Sequence, residues 1–590
     1  MTVEVFPGNK ADYPRTVVTI DTSRLGANSA GGTKALVVYG SAQSGIPNTV
    51  YHVSSYAQAK SVFKGGDLLD FIGMAWSPSN GTFQGAGDIY AVRVDTAKPA
   101  TTEIGNLRIS SKQYGQGANK VAVKLETGTL PNSYKLTAID TSSSLSQEIY
   151  DNMGVIADIK YTGLEAVARL SVKDGILAIN VGDTADALTP IISYDLSSEL
   201  FSTMDKVVSQ LNVTGLVEAS FIPQGDKAID SIFLDEVTDK DIKEEPYTVT
   251  SLVGSMLHET LYSDLIEVNL IKEVAPKLVL TPSDTEVLFE EEDSQVLPPV
   301  TTFPIRQLVG GSNGTVPGSW DSLFRLLQTN DTPSAYYIVP LTPNQAIHRE
   351  LSAFVTEMSG TGFPMRGIVG GGLGENINKT LARKAVLNNP RIALVGFDTK
   401  TAMPDGRIAT MPAYMTSAYV AGLASGLPVG EAITYKPLNI VGLNRDYTSD
   451  ELSTLSSAGV VVAKKERNNT GQTFRVLSDV TTANNENDPV QSKMSLGELS
   501  DFLGNSMREM LDSKFIGTRT TSVTASTLKA EISTFLLEKK NQGRIVAYNP
   551  ADISVSVTGN QANITCVVEP SRELEYINVG IIYDTSTQSV

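Results

Sequence analysis

The sequence predicts a multidomain chain of mixed class, α+β joined to α/β, on three observations. Between Lys34 and about residue 100, the apolar run KALVVYG leads into the helical segments SYAQAKSVF and LLDFIGMAW and then a second apolar run, DIYAVRVD. That alternation of buried strand and amphipathic helix builds βαβ units. From about 101 to 300 the pattern changes to short alternating runs such as LRIS, KVAVKLE and YKLTAID, with Asp174-Gly175 as a hairpin turn inside RLSVKDGILAINV. This reads as one or two mostly β insertions. Strand and helix then alternate again through YYIVPL, RGIVG, INKTLARKAVL, RIALVGF and MPAYMTSAYVAGLASG, which predicts a parallel sheet.

The ends of the chain differ from this body. Pro7, Gly8 and Pro14 precede a short β-forming run, TVVTI, and the stretch LGANSAGG follows it, the composition of an arm on a flexible hinge. The last hundred residues predict two amphipathic helices, around Leu499 to Leu511 and around Leu528 to Lys540, the second closed by Gly543. Strands ISVSVTG, ANITCVVEP and YINVGIIYD come after them, so a β-capable segment lies at each end. Helix starts are expected at Thr342, an N-cap followed by Pro343 and with Gln345 three residues on, and at the capping boxes Thr448/Glu451 and Ser495/Glu498.

Bulk composition narrows the function. A length of 590 residues predicts about four domains, and 41% hydrophobic with 19% charged residues is ordinary for folded protein. A net charge of −18 argues against direct contact with nucleic acid, whose phosphates are bound by neutralising them. The acidic stretches DEVTDKDIKEE and FEEEDS lack a Gly-punctuated loop and read as solvated faces. One cysteine, Cys566, excludes an internal disulfide framework, reads as a small half-buried strand residue, and fits a reducing cytosol. The start MTVEVFPGNKADYPRTVVTID has no signal-peptide pattern, and no window approaches about 18 uninterrupted apolar residues. A soluble chain without membrane insertion is expected.

Two motifs imitate active sites. GIVGGGLGENINKTLARK, residues 367–384, has the strand, glycines, Lys379-Thr380 and helix of a phosphate loop. Counting back from Lys379, however, puts Asn378 and Leu373 where G-x-x-x-x-G-K-[ST] needs glycines, and no G-x-G-x-x-G register fits either. Gly310-Gly311-Ser312-Asn313-Gly314 matches the letters of a nucleophile elbow, but Pro317 and Gly318 follow where a helix is required. His52, His258 and His348 are scattered and read as surface or capping residues, and Asp398-Thr399-Lys400 places Lys where a calcium loop needs oxygen. No catalytic, cofactor-binding or metal residue survives, which favours a structural or assembly protein over an NTPase or hydrolase built on one of these loops.

Several segments resemble one family, the contractile tail sheath proteins of bacteriophages, and most closely those of large contractile-tailed phages of Gram-positive bacteria. They are GIPNTVYHVSSYAQAKSVFKGGDLLDFIGMAW, SKQYGQGANKVAVKLE, LVGGSNGTVPGSWDSLF, YYIVPLTPNQAIHRELSAFVTEMSGTGFPMRGIVGGG, MPAYMTSAYVAGLASGLPVGEAITYKPL, SDVTTANNENDPV and FIGTRTTSVTASTLKAEISTFLLEKK, in the family's order. Residues from about 130 to 295 match by position alone.

The resemblance implies a linking arm over 1–25, a discontinuous α/β domain of 26–100 plus 300–480, outer β-rich insertions over 101–299, and a tube-proximal domain over 481–590 ending in a linking strand. It implies stacked hexameric rings around a tail tube, with the tube, baseplate and tail terminator proteins as partners. The chain would sit in the virion tail after assembly in the host bacterial cytoplasm. Strand addition between subunits would use Val17, Val18, Thr19 and Ile20 of the arm and Ile577, Val579, Ile581 and Tyr583 of the C-terminal strand. Contraction driven by subunit packing would need no cofactor. The sheath of a tail-like bacteriocin or another contractile injection system would read the same way.

Overall fold

The structure is a computed structural model, and it describes residues 2–4, 19–21, 34–104, 107–141, 146–223, 227–271, 303–329, 335–403, 406–468, 471–483, 488–518 and 523–573. The chain divides into two compact units. One comprises Met1–Ala42, Pro47–Asp95 and Val316–Val590, the other Gln43–Ile46 and Thr96–Thr315.

The first unit is organised by a seven-stranded sheet made of β1 (Ala35–Gly40), β2 (Val50–Val53), β3 (Ile89–Arg93), β4 (Ala335–Pro340), β5 (Arg366–Gly370), β6 (Ile392–Val395) and β7 (Val460–Val461), in the order β7-β6-β5-β4-β1-β3-β2. All neighbours are parallel except the edge strand β2. Period-2 alternation then serves two cores. Leu36, Val38, Ile368, Ala393 and Val395 face one layer, and Val37, Tyr39, Val369, Ile392 and Leu394 face the other.

The first layer holds α1 (Tyr56–Phe63), α2 (Asp67–Trp76) and the apolar helix Ala413–Gly426, and the second holds the helices Gln345–Gly360, Ile377–Leu387 and Ser449–Ala458. In chain order after α2 these are α3 (Gln345–Gly360), α4 (Ile377–Leu387), α5 (Ala413–Gly426) and α6 (Ser449–Ala458). Helix α5 is buried almost all round, so it carries no amphipathic signal. It approaches α2 so closely that a Cβ on Gly422 would stand 2.3 Å from the Ala75 carbonyl oxygen.

Further along, α7 (Met494–Phe515) and α8 (Ala525–Asn541) form a separate core from Leu499, Leu503, Met507, Leu528, Ile532 and Phe535. An antiparallel hairpin of β8 (Ser554–Thr558) and β9 (Gln561–Thr565) borders that core. Cys566 is half-buried just past β9, outside any strand.

Cap chemistry follows the sequence at Thr448, whose capping box with Glu451 is complete. It departs at two other places. The cap of α3 is Asn344, and Thr342 instead accepts from the Asn344 amide. Ser495 and Glu498 lie inside α7, where both are buried in tertiary contacts, and a residue serving the interior is not free to cap.

The second unit contains two β cores. One packs the sheet of Gln147–Met153, Tyr134–Asp140, Val121–Thr127 and Phe303–Gln307 with that of Ile266–Leu270, Leu107–Tyr114 and Pro99–Ile104. The other packs Thr189–Asp195, Ile176–Gly182, Val167–Lys173 and Val237–Asp241 with Val217–Phe221, Val155–Tyr161, Tyr247–Thr250 and the helix Met204–Val213. Asp174 and Gly175, both at positive φ, make the two-residue turn between Lys173 and Ile176. Of the acidic stretches, residues 237–241 form a strand, and FEEEDS lies outside the described residues.

Because Gly422 permits the α2–α5 contact, Gly422→Leu is expected to destabilise the first unit by about 3 kcal/mol through overpacking. Urea unfolding followed by far-UV circular dichroism checks this, and an unchanged midpoint would show that the helices can part at little cost.

Candidate functional site

The glycine-rich segment lies where a phosphate loop would, between the end of β5 and the first turn of α4. Its glycines serve close approach and turning. A Cβ on Gly370 would stand 2.3 Å from the Ala413 carbonyl, and Gly374 has φ of 71°. Two of its amides are already taken by carboxylates of the chain itself. Gly372 N–H donates to Glu375 Oε1 at 3.0 Å, and Gly374 N–H donates to Asp398 Oδ2 at 2.7 Å. Asn376 caps α4 by accepting from the Lys379 amide at 2.9 Å. The Lys379 side chain is 61% exposed and meets Glu375 at 3.1 Å. The cleft left beside Gly371, Gly372, Glu375, Asp398 and Tyr447 has room for about one water molecule. An incoming phosphate would meet two carboxylates where it needs donors.

Behind the loop, buried Arg383 donates to Glu375 Oε1 at 2.5 Å and to the Pro343 carbonyl at 2.7 Å. Burial alone would raise the Glu375 carboxyl, but Arg383 and the Gly372 amide outweigh it and hold the pKa below the usual value. His348 is not the surface or capping residue expected from sequence. It is fully buried on the inward face of α3, one residue from Ile347 and three from Leu351, with Nε2 2.8 Å from the Thr342 carbonyl. Burial lowers its pKa to about 4, so the ring is neutral at pH 7 and can accept at Nδ1 from Arg383, 3.4 Å away. His52 is half exposed beside Asp88, and His258 lies in the last turn of the helix Leu252–Glu259.

Ser312 lies in a lacing of turns. Lys98 N–H donates to the Ser312 carbonyl at 2.8 Å, the Asn119 side chain brackets Gly311, and Gly310 and Gly314 are at positive φ. The next helix begins only at Asp321, so no helix N-terminus supports a nucleophile there. Among the described residues, no group of three or more His, Cys, Asp or Glu side chains is placed to hold a metal ion, and no helix is long and apolar enough to cross a membrane.

The strand-addition residues are only partly visible. Thr19 and Ile20 lie in a strand, Thr19–Asp21, paired antiparallel with Thr2–Glu4 so that Ile20 faces Val3. Val17, Val18, Ile577, Val579, Ile581 and Tyr583 lie outside the described residues.

What sequence reasoning missed is a buried ion network joining α7 to the sheet. Asp501 accepts from Arg391 Nη2 at 2.9 Å, from Arg366 Nε at 3.1 Å and from the Tyr336 hydroxyl at 2.7 Å. One turn earlier, Glu498 pairs with Lys34 Nζ at 2.5 Å and accepts from the Tyr337 hydroxyl at 2.7 Å and the Gly430 amide at 3.2 Å. Asp479 accepts from the Ser495 amide at 2.9 Å, which supplies the start of α7 with the cap that Lys493 does not. A signal was present. Glu498 and Asp501 are three residues apart among the apolar positions of an amphipathic helix, and Lys34 and Arg366 each abut a fully apolar strand.

The comparisons with known proteins point to one family. Residues 331–482 match the family model described as the phage tail sheath protein central domain. A tail sheath relative from Enterococcus phage phiEF24C is 39% identical over 99% of both chains. The tail sheath protein of Staphylococcus phage Twort is 38% identical over the whole of both chains. In fold, the sheath tail protein Lin1278 of Listeria innocua matches with a TM-score of 0.54 at 12% identity, covering 92% of this chain and 94% of the other. The chain is thus a structural protein of mixed α/β fold and not an enzyme. It belongs to the phage tail sheath protein family.

Two outcomes follow from the loop. Lys379→Ala should shift stability by less than about 0.5 kcal/mol, whereas Arg383→Met, which leaves Glu375 buried without its main partner, should cost about 3–5 kcal/mol. Urea unfolding of the two variants checks the ranking, and equal effects would count against a self-closed loop.

A third concerns pH. Burial would raise Asp501, but Arg391 and Arg366 hold it below the usual carboxylate value. Its stabilisation is therefore complete above the unfolded pKa of about 3.9 and is lost as pH falls through the lower folded value. Asp479 runs the other way, since burial first and Glu573 second raise it to about 6. Ionising it costs stability that builds from about pH 4 to about pH 6 and is fully present above that. Relative to wild type, Asp479→Asn should gain roughly 2 kcal/mol between about pH 4 and pH 7, measured by urea unfolding across that range. Parallel curves would argue that Asp479 is ionised throughout.

Proposed function

We propose that this chain is the subunit of a contractile tail sheath that stacks as hexameric rings around a tail tube and shortens to drive the tube through a host envelope for genome ejection. The observation that carries the reading is the identity of 38–39% with tail sheath relatives over essentially the whole chain. Subunits assemble in the host bacterial cytoplasm into the virion tail. The tube, baseplate and tail terminator proteins are the partners besides the chain itself. The outer β-rich part is the insertion between the two α/β segments, and the terminal strands link subunits.

Strand addition supplies the linkage. Unpaired backbone N–H and C=O groups on a sheet edge accept a strand from another chain, and such pairing persists while the folded bodies rotate. The hairpin of β8 and β9 suits the acceptor role. It is a two-stranded sheet whose outer edges pair with no strand among the described residues, and its side chains are mostly exposed. An isolated hairpin of this size is marginal alone and gains from further strands. In this reading Val17 to Ile20 and Ile577 to Tyr583 of neighbouring copies complete it.

The charge is unevenly placed. The second unit holds 16 Lys and Arg against 32 Asp and Glu, or −16 of the total −18. Copies of that unit brought together in an assembly repel one another unless salt screens them.

Deleting residues 1–22, or 574–590, should leave a folded monomer that does not polymerise, as seen by negative-stain microscopy. Normal helical assembly of both truncated chains would refute the linking role. Raising salt from about 0.05 M to about 0.5 M shortens the screening length from roughly 14 Å to roughly 4 Å and should raise polymer yield of the full chain severalfold by light scattering. Yield that falls with salt would show that attraction between opposite charges dominates instead.

A further inference from the structure

Lys34 directly precedes β1 in the parallel sheet, and Glu573 follows the strand Val568–Pro570. These two residues are far apart in sequence, yet both are tied to the start of one helix. Lys34 Nζ pairs with Glu498 at 2.5 Å, both side chains being less than a tenth exposed. Lys493, the residue before α7, pairs with Glu573 Oε1 at 3.0 Å with both mostly buried. The first turns of α7 thus carry an ion pair to each terminal segment.

That same stretch is the most heavily fixed part of the helix. Asp479 holds the Ser495 amide, Tyr337 holds Glu498, and Arg366 and Arg391 hold Asp501. Gly497 lets Arg366 come in, because a Cβ there would stand 2.2 Å from Nη2. The charged groups facing the two pairs are therefore Asp479, Arg366, Arg391, Asp501 and Arg544.

A buried ion pair is a weak way to stabilise a fold, since apolar side chains of similar volume serve as well or better. What it adds is direction, because it is satisfied in one geometry and leaves two uncompensated charges in any other. Two such pairs at one helix end fit a place where chain ends must hold their position under load.

We infer that residues 493–498 form an anchor for both terminal segments, through Lys34–Glu498 and Lys493–Glu573, so that tension entering at either end passes into the parallel sheet through the start of α7. This rests on the linking role proposed above for the chain ends. Force arriving along the N-terminal segment reaches Glu498 before it can peel β1, and force along the C-terminal segment reaches Lys493 before it can open the pairing of Ile545–Tyr548 with Val568–Pro570. Both then cross to Arg366 and Arg391 at the base of β5 and β6.

The test uses two full-length double variants that remove charge in pairs, Lys34→Met with Glu498→Gln, and Lys493→Met with Glu573→Gln. Hydrogen exchange of the unassembled chain is read first, because it does not depend on assembly. In the second variant, amides of residues 568–573 should exchange at least about tenfold faster while the β4 and β5 amides are unchanged. Unchanged exchange at 568–573 would overturn the anchor. Assembled polymers are then sheared and measured by electron microscopy. Both variants should give fragments several times shorter than wild type, and length distributions equal to wild type would overturn the load path. Should the first pair fold poorly, Lys34→Arg, which keeps the charge, should restore wild-type fragment length. Polymerisation of the chains truncated at 22 or 574 would instead remove the linking role and leave the exchange result standing.

Discussion

A carboxylate, Asp501, buried between two guanidinium groups joins α7 to the parallel sheet, and neither side of that joint is complete alone. Arg366 and Arg391 project from the starts of β5 and β6, where an unpaired buried cation would be strongly unfavourable. Asp501 lies on a helix that would otherwise have to expose it. Each side therefore requires the other, and the requirement fixes the position of α7 along the sheet as well as its presence there. Tyr336 and Tyr337, neighbours on β4, send their hydroxyls to Asp501 and Glu498 respectively, so the strand is read twice by the same helix. Burial together with the adjacent carboxylates raises both phenols well above their usual range, which keeps them as donors.

The glycine loop shows how close a scaffold can come to an active site without having one. Strand, turn, helix N-terminus and lysine are all present, in the arrangement that cradles phosphate elsewhere. The difference is that Glu375 and Asp398 fill the anion position from within. With its amides satisfied by its own side chains, the loop becomes a rigid corner between β5 and α4, backed by Arg383 and His348. The polarity that would bind a ligand is spent on holding the fold.

Much of the architecture could be read from the sequence, because strands such as ALVVYG and helices such as DLLDFIGMAW state their burial in local composition. Thr448 with Glu451 was legible for the same reason, since a capping box is complete within four residues. The failures share a cause. Thr342 and Ser495 carry the right letters for caps, but Asn344 lies closer to the first turn of α3, and Ser495 is claimed by Asp479, 16 residues earlier in the chain. His348 looked like a surface residue because nothing in its own segment says that Arg383 will arrive beside it. The buried ions of α7 escaped most completely, as the pairs of Glu498 and Asp501 join residues more than a hundred positions apart, and a single sequence gives no partner to a lone charge at the end of an apolar run.

The long segment of the second unit, Thr96–Thr315, is bonded end to end. Thr96 N–H donates to the Thr315 carbonyl at 3.0 Å, and the Thr315 amide donates back to the Thr96 hydroxyl at 3.0 Å. The two ends of that segment therefore meet, and both β cores of the unit are built from the chain between them. A segment whose ends meet in this way behaves as a cassette: its length and its cores can be exchanged for others without changing the distance between the two ends of the chain it interrupts. For anyone wishing to display a foreign domain on a polymer of this chain, the paired ends at Thr96 and Thr315 are where the graft belongs.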